Sequence, residues 1–320
     1  MNLLKPKALR RGDTIGVVAP AGPVDRERLD RALDRLRHRG FRTKTYGDID
    51  RSQGYLAGDD ATRAAELMAA FADPDSAAVW CARGGYGVVR LLERIDFDVI
   101  GRHRKVFIGF SDITALHLAI QQQAGLITFH GPNLQDGFGK VNGMPAATEA
   151  ALWRAVLAEE QSDAQPGYPF DLAGMEHVEL RPLTKGVASG TLTGGNLAVL
   201  CGLMGTPFEI ETAGRILFLE DVSERLYRID RYLAQLSLAG KLQAAAGVLV
   251  GSFSYEENEP AEPEQAVSAL LHEYLGGLDA PVMAGFPAGH AQYNAMLPMG
   301  ASLKLDADAR KVTLLENSVS

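Results

Sequence analysis

Between residues 14 and 130 the chain alternates short apolar, β-branched runs with segments of helical period, and this alternation constrains the fold more than any other feature. TIGVVA, FRTKTY, SAAVWCA, VFIGF and LITFHG read as strands. VDRERLDRALDRLRHRG, DDATRAAELMAAFADP, YGVVRLLERI and DITALHLAIQQQ lie between them and read as helices. In the first helix Leu29, Ala32, Leu33 and Leu36 recur at helical spacing, and Gly40 supplies a stop. Strands separated by helices pair in parallel and are covered on both faces, so the expectation is an α/β N-terminal domain built on a parallel sheet.

The pattern changes after His130. Residues 131–174 carry glycines, prolines and one plain helix, at 146–158, and read as a connection. Beyond it VELRPL, GVASGTLTGG, RILFLED, AGVLVGSF and APVMAG suggest strands, and GNLAVLCGLMG, SERLYRIDRYLAQLSLAG and EPEQAVSALLHEYL suggest helices. ASLKLDADARKVTLLE has the alternation of a terminal hairpin. The expected organisation is an N-terminal domain over 1–135, a connecting region over 136–177 and a C-terminal domain over 178–320.

At 320 residues with 46% apolar content the chain can build two cores. A formal charge of −8 without clustered Lys or Arg argues against a nucleic-acid partner. No apolar run approaches membrane-spanning length, and the opening KPKALRR is followed too soon by polar residues for a signal peptide. Cys81 and Cys201 stand far apart without a CxxC or His-rich neighbour, so neither a disulfide framework nor a zinc site is expected. No metal-ligand motif or cofactor fingerprint is present, and the expected setting is cytoplasmic.

Chemistry in an open parallel sheet gathers where loops leave the carboxyl ends of the strands. ARGGYG, residues 82–87, follows one such end, and its paired glycines can turn backbone N–H groups toward an anion or simply form a turn. GFSDIT follows another. Ser111 there reads as a helix cap when taken alone, because Ile113 stands where a GxSxG elbow needs glycine, and Asp112 reads as a first-turn carboxylate that complements the helix dipole. A serine nucleophile needs a base. Of seven histidines, His290 in GFPAGHAQYNAMLP lies on a Gly- and Pro-rich loop that frees it from helix geometry, whereas His38, His103, His117, His130, His177 and His272 have settings that suit packing or solvation. For an orienting acid, Glu220 ends a buried run in RILFLED, while Asp221 reads with Glu224 as a capping box.

These blocks together resemble the LD-carboxypeptidase family, serine peptidases that include murein tetrapeptide carboxypeptidases and microcin C self-immunity peptidases. The marks are GDTIGVVAPAGPVD, ARGGYGVVRLL, GFSDITALHLAI, TFHGPNL, LTGGNLAVLCGLMGTPFE, ILFLEDVSERLYRIDRYL and GFPAGHAQYNAMLPMG, in that order along nearly the whole chain. The resemblance implies Ser111 as nucleophile, His290 as base and Glu220 as acid, with the backbone N–H groups of Gly85 and Asp112 receiving the oxyanion. It implies a Rossmann-like N-terminal domain with a parallel sheet joined to a β-rich α/β C-terminal domain, release of terminal D-alanine from a murein peptide, no cofactor, and a homodimer. Two other readings share the residues: an immunity-type amidase acting on peptidyl or aminoacyl nucleotides, and a non-catalytic protein holding a small anion. A third would make Cys81 the nucleophile. Arg83 and Arg225 are candidates for the substrate carboxylate without an assigned role.

Overall fold

The computed structural model describes residues 3–161, 168–255 and 263–320, which fall into two compact units. The first comprises residues 1–164 with two short returns of the chain, 296–299 and 318–320; the second comprises 165–295 and 300–317.

In the first unit, β1 (Thr14–Val18), β2 (Arg42–Thr45), β3 (Ala78–Cys81), β4 (Val106–Gly109) and β5 (Thr128–His130) form a parallel sheet in the order β2, β1, β3, β4, β5. Every residue of β3 and β4 is buried, as expected of central strands covered on both faces. The polar RTKT of β2 lies at the sheet's edge, where charge discourages pairing with another chain. The helix Arg26–His38 is capped by Asp25, which accepts from the Arg28 N–H, and it buries Leu29, Ala32, Leu33 and Leu36, the four residues its period selects. Complete burial of each such leucine contributes about 1.5–3 kcal/mol.

A sixth strand, Leu297–Met299, pairs antiparallel with β5, with Leu297 opposite His130. Its three residues include a proline, which is tolerated because the strand forms an edge. Of the segment 136–177, Phe138 and Trp153 are buried in the first unit: Trp153 stacks on Phe41 at 5.1 Å, and Trp80 meets Phe138 and Trp153 edge-on.

The second unit is built on a sheet of eight strands among the described residues. Four parallel strands, Val187–Asn196, Ile216–Glu224, Gly247–Tyr255 and Val282–Ala284, form its middle. Antiparallel strands flank them, including the hairpin Ser302–Asp306 and Lys311–Leu314. The α/β class with a β-rich second unit therefore holds, with a parallel centre that the strand runs alone did not specify. The helix Leu226–Leu238 begins at Arg225, so Asp221, which lies inside a strand, does not form the expected capping box with Glu224. Its carboxylate instead accepts from the Asn196 side chain and the Ala198 N–H, tying down the start of the helix Leu197–Gly202.

Candidate active site

In the first unit, β1 and β3 are neighbours although their crossovers leave toward opposite edges of the sheet, and this is where such sheets open a crevice. The loops after the two strands meet there, the Gly22 N–H donating to the Gly84 carbonyl at 3.1 Å. Gly85 has φ +121°, and a Cβ on it would lie 3.2 Å from the backbone of Gly22, so this close approach favours glycine.

β4 ends beside that loop and delivers Ser111. The serine has φ +67°, a left-handed conformation that costs a non-glycine residue energy and is kept where surrounding structure enforces it. Residues Ser111–Ile113 form a 3₁₀ turn that runs into the helix Thr114–Ala119, and neither segment has a side-chain cap. The capping role that Ser111 suggests in isolation is thus not what the structure uses. Gly84 packs directly on the serine: a Cβ there would stand 2.9 Å from Ser111 Cβ and 3.1 Å from Oγ. Ser111, Asp112 and the paired glycines are accordingly brought together.

Asp112 lies in the first turn, as its position suggests, but its carboxylate also reaches another element. It is buried, and its Oδ2 accepts from the Val88 N–H at 2.9 Å, at the start of the 3₁₀ helix Val88–Arg94. Burial pushes its carboxyl up to about 6, against the opposing pull of the Val88 N–H and the positive charge of Arg63. Cys81, one strand away in sequence terms, is fully buried, and burial raises its thiol far above the usual range, with the Asp112 charge adding to the effect. Such a thiol is inert, which removes Cys81 as a nucleophile. Deeper in the same unit, His117 is buried between Thr128 Oγ1 at 2.8 Å and the Gly109 carbonyl at 2.9 Å, and burial lowers its pKa to about 4. His130 is buried edge-on against Phe110, in the packing role its setting suggests.

In the second unit, Glu220 is completely buried in the middle of the strand Ile216–Glu224, which runs four residues past it, level with Asn196 of the neighbouring parallel strand. His290 follows the strand Val282–Ala284 on a loop tied back to the sheet by Phe286 N–H to Val250 O and Ser252 N–H to Ala288 O, and closed on itself by Gly289 N–H to the Asn294 side chain. That loop aims the imidazole at the acid: His290 Nδ1 lies 2.7 Å from Glu220 Oε2. A carboxylate can only accept, so Nδ1 carries the proton and Nε2 presents its lone pair. The imidazole is 18% exposed and Glu220 0%, the arrangement expected of a reactive base backed by a buried acid. Gly289, at φ +106°, permits it, since a Cβ would come within 2.7 Å of Glu220 Oε2 and 2.6 Å of Ser252 Oγ.

Gly289 and the buried Arg63 belong to the surroundings of these groups, and no motif marks the role of either. Arg63 leaves a sequence trace, because it occupies the helical face of Leu67, Ala70 and Phe71, all buried. Among the described residues no group of three or more His, Cys, Asp or Glu side chains could hold a metal ion, and no helix is long and apolar enough to cross a membrane.

Comparison with known proteins agrees along the whole length. The chain is 40% identical over 316 residues to the probable murein peptide carboxypeptidase of Bacillus subtilis, covering 99% of this chain and 95% of that protein. The structure superposes on muramoyltetrapeptide carboxypeptidase from Oxalobacter formigenes with a TM-score of 0.78 at 30% identity, over 94% of this chain and 97% of that one. The microcin C7 self-immunity protein MccF gives a TM-score of 0.88 at 25% identity, over 99% and 100% of the two chains. Residues 15–131 match the LD-carboxypeptidase N-terminal domain and residues 189–305 the LD-carboxypeptidase C-terminal domain; the chain belongs to the LD-carboxypeptidase family.

Proposed function

We propose that this protein is a serine-type LD-carboxypeptidase that hydrolyses the L,D-peptide bond before the terminal D-alanine of a murein tetrapeptide during cell-wall recycling. The observation that carries the reading is the hydrogen bond between buried Glu220 and half-buried His290, 2.7 Å long, which fixes one tautomer and leaves Nε2 as a base. In this reading Ser111 Oγ attacks the carbonyl carbon while His290 takes its proton, and the Glu220 carboxylate stabilises the imidazolium that forms. The N–H groups of Gly85 and Asp112 receive the negative charge that develops on the carbonyl oxygen. Collapse of the tetrahedral species expels D-alanine as the amine, protonated by His290. Water, activated by the same imidazole, then releases the peptide from the serine.

The recycling substrate and two buried free thiols, Cys81 and Cys201, support a cytoplasmic setting. The charge of −8 supports a peptide partner over nucleic acid. Homodimerisation rests on the family resemblance, and light scattering on the eluting peak tests it.

The likeness to the microcin C7 self-immunity protein supports a second reading, an amidase acting on an aminoacyl nucleotide through the same three residues. Incubation with L-Ala-γ-D-Glu-meso-diaminopimelate-D-Ala and, separately, with an aminoacyl sulfamoyl adenylate, followed by mass spectrometry, decides between them. The first reading expects free D-alanine from the tetrapeptide and none from the Ser111→Ala variant. Cleavage of the adenylate alone replaces it with the second.

A further inference from the structure

The loop that carries Gly85 is held by two buried ions acting on a single peptide group. The carbonyl of Gly87 accepts from Arg63 Nη1 at 3.1 Å, and the N–H of the next residue, Val88, donates to Asp112 Oδ2 at 2.9 Å. These are the two ends of the peptide unit joining Gly87 to Val88, so one plane is fixed from both sides. Arg63 is 1% exposed and Asp112 5%. Burying a guanidinium and a carboxylate costs several kcal/mol each before their bonds are counted, far more than a surface turn requires.

The clamp reaches the rest of the site. Arg63 also donates to the carbonyls of Pro20 and Gly58 and pairs with Asp60, so one side chain gathers three loops at the strand ends. Gly87 has φ +120°, and a Cβ on it would lie 2.9 Å from Arg63 Nη1 and 2.4 Å from Leu56 Cδ2, so glycine there makes room for the guanidinium. Upstream the loop is fixed by Gly22 N–H on the Gly84 carbonyl, and Gly84 packs against Ser111. Gly85, a proposed oxyanion donor, lies between these two fixed points. Asp112 follows the serine directly, so its carboxylate couples the nucleophile's own turn to the loop opposite it.

Building on the peptidase reading, we propose that Arg63 and Asp112, acting through the Gly87–Val88 peptide group, are positioning residues that hold the Gly84–Gly87 loop against Ser111 for oxyanion binding. The backbone N–H of Asp112 has a separate role and survives any substitution of the side chain. A purely structural cap on the helix Val88–Arg94 would affect stability and leave turnover per folded molecule intact.

The test compares the wild type with Asp112→Ala, Asp112→Asn and Arg63→Lys at pH 8, measuring kcat and KM for D-alanine release, the rate of Ser111 labelling by a fluorophosphonate, and amide exchange over residues 84–88. Asp112→Ala should lower kcat and the labelling rate by about 10–100-fold, the scale of a misplaced oxyanion donor, with KM within about threefold and exchange at Val88 accelerated. Asp112→Asn keeps an oxygen that can accept from Val88 and should recover much of that loss. Should Asp112→Ala fail to fold, Arg63→Lys carries the same expectation, because an ammonium cannot span the three carbonyls. Wild-type kcat and labelling in a folded Asp112→Ala or Arg63→Lys protein overturn the proposal, as does an asparagine variant no better than alanine. A wild-type protein that neither turns over substrate nor labels at Ser111 defeats the peptidase reading instead, and the clamp then stands or falls on protection of the Val88 amide in the wild type and its loss in Asp112→Ala.

Discussion

His290 Nδ1 and Glu220 Oε2 lie 2.7 Å apart although 70 residues separate them in sequence, and the second unit alone supplies everything that brings them together. The strand Ile216–Glu224 carries Glu220, the loop from Phe286 to Asn294 carries His290, and Gly289 lets the two approach.

Glu220→Gln keeps the volume but removes the charge that stabilises an imidazolium, and its amide can donate to Nδ1 and select the wrong tautomer. We expect kcat to fall by about 10²–10⁴-fold with modest change in KM. Steady-state kinetics on the tetrapeptide check this, and an activity within tenfold of wild type contradicts it.

Gly289→Ala tests the approach itself. The added methyl would sit 2.6 Å from Ser252 Oγ and 2.7 Å from Glu220 Oε2 at φ +106°. Strain of this kind costs about 1–3 kcal/mol and should push the imidazole off the acid, lowering both the urea midpoint and kcat. Gly277→Ala, where nothing lies within 4 Å, serves as the control and should change neither.

Cys81→Ala should retain turnover. The thiol is fully buried in β3, and burial keeps it protonated, so the substitution removes a packed sulfur and no reactive group. A cost of about 1 kcal/mol in stability is expected from the small cavity. Loss of activity in a folded variant would return the thiol to the mechanism.

His117 gives a pH signature of stability. Its pKa is lowered to about 4 by burial, whereas an unfolded histidine titrates near 6.5, so between these values the unfolded chain binds the extra proton. This residue's contribution is therefore complete above about pH 6.5 and is lost as pH falls toward 4. Its size is about 1–3 kcal/mol. Urea unfolding of wild type and His117→Gln at a series of pH values should show the stability difference between them shrinking as the solution is acidified, and a constant difference contradicts the assignment.

Much of this architecture is legible in the sequence where a local pattern and a tertiary demand coincide. The strands β1, β3, β4 and β5 are apolar runs bounded by glycine, proline or helix, β2 is the polar exception at the edge, and the helix Arg26–His38 buries the four residues its period picks out. Glu220 and His290 are legible because a carboxylate that follows directly on a buried apolar run, and a histidine on a Gly- and Pro-rich loop, are locally unusual. Asp221 misled because a D-x-x-E spacing imitates a capping box, whereas the chain continues as strand through Glu224 and the carboxylate turns to Asn196. The strand Leu297–Met299 has three residues and a proline, too little for a period, and it exists only because β5 offers it an edge. Arg63 and Asp112 look like ordinary helix charges; what they do depends on carbonyl and N–H groups of loops remote in sequence.

The most direct measurement compares turnover of the tetrapeptide by Ser111→Ala, His290→Gln and the double variant, each verified as folded by its unfolding midpoint. Residues of one proton relay fail together, so the account predicts that each single change lowers kcat by at least about 10³-fold and that the double change lowers it no further. Turnover near wild type in Ser111→Ala, or losses that multiply in the double variant, would contradict it.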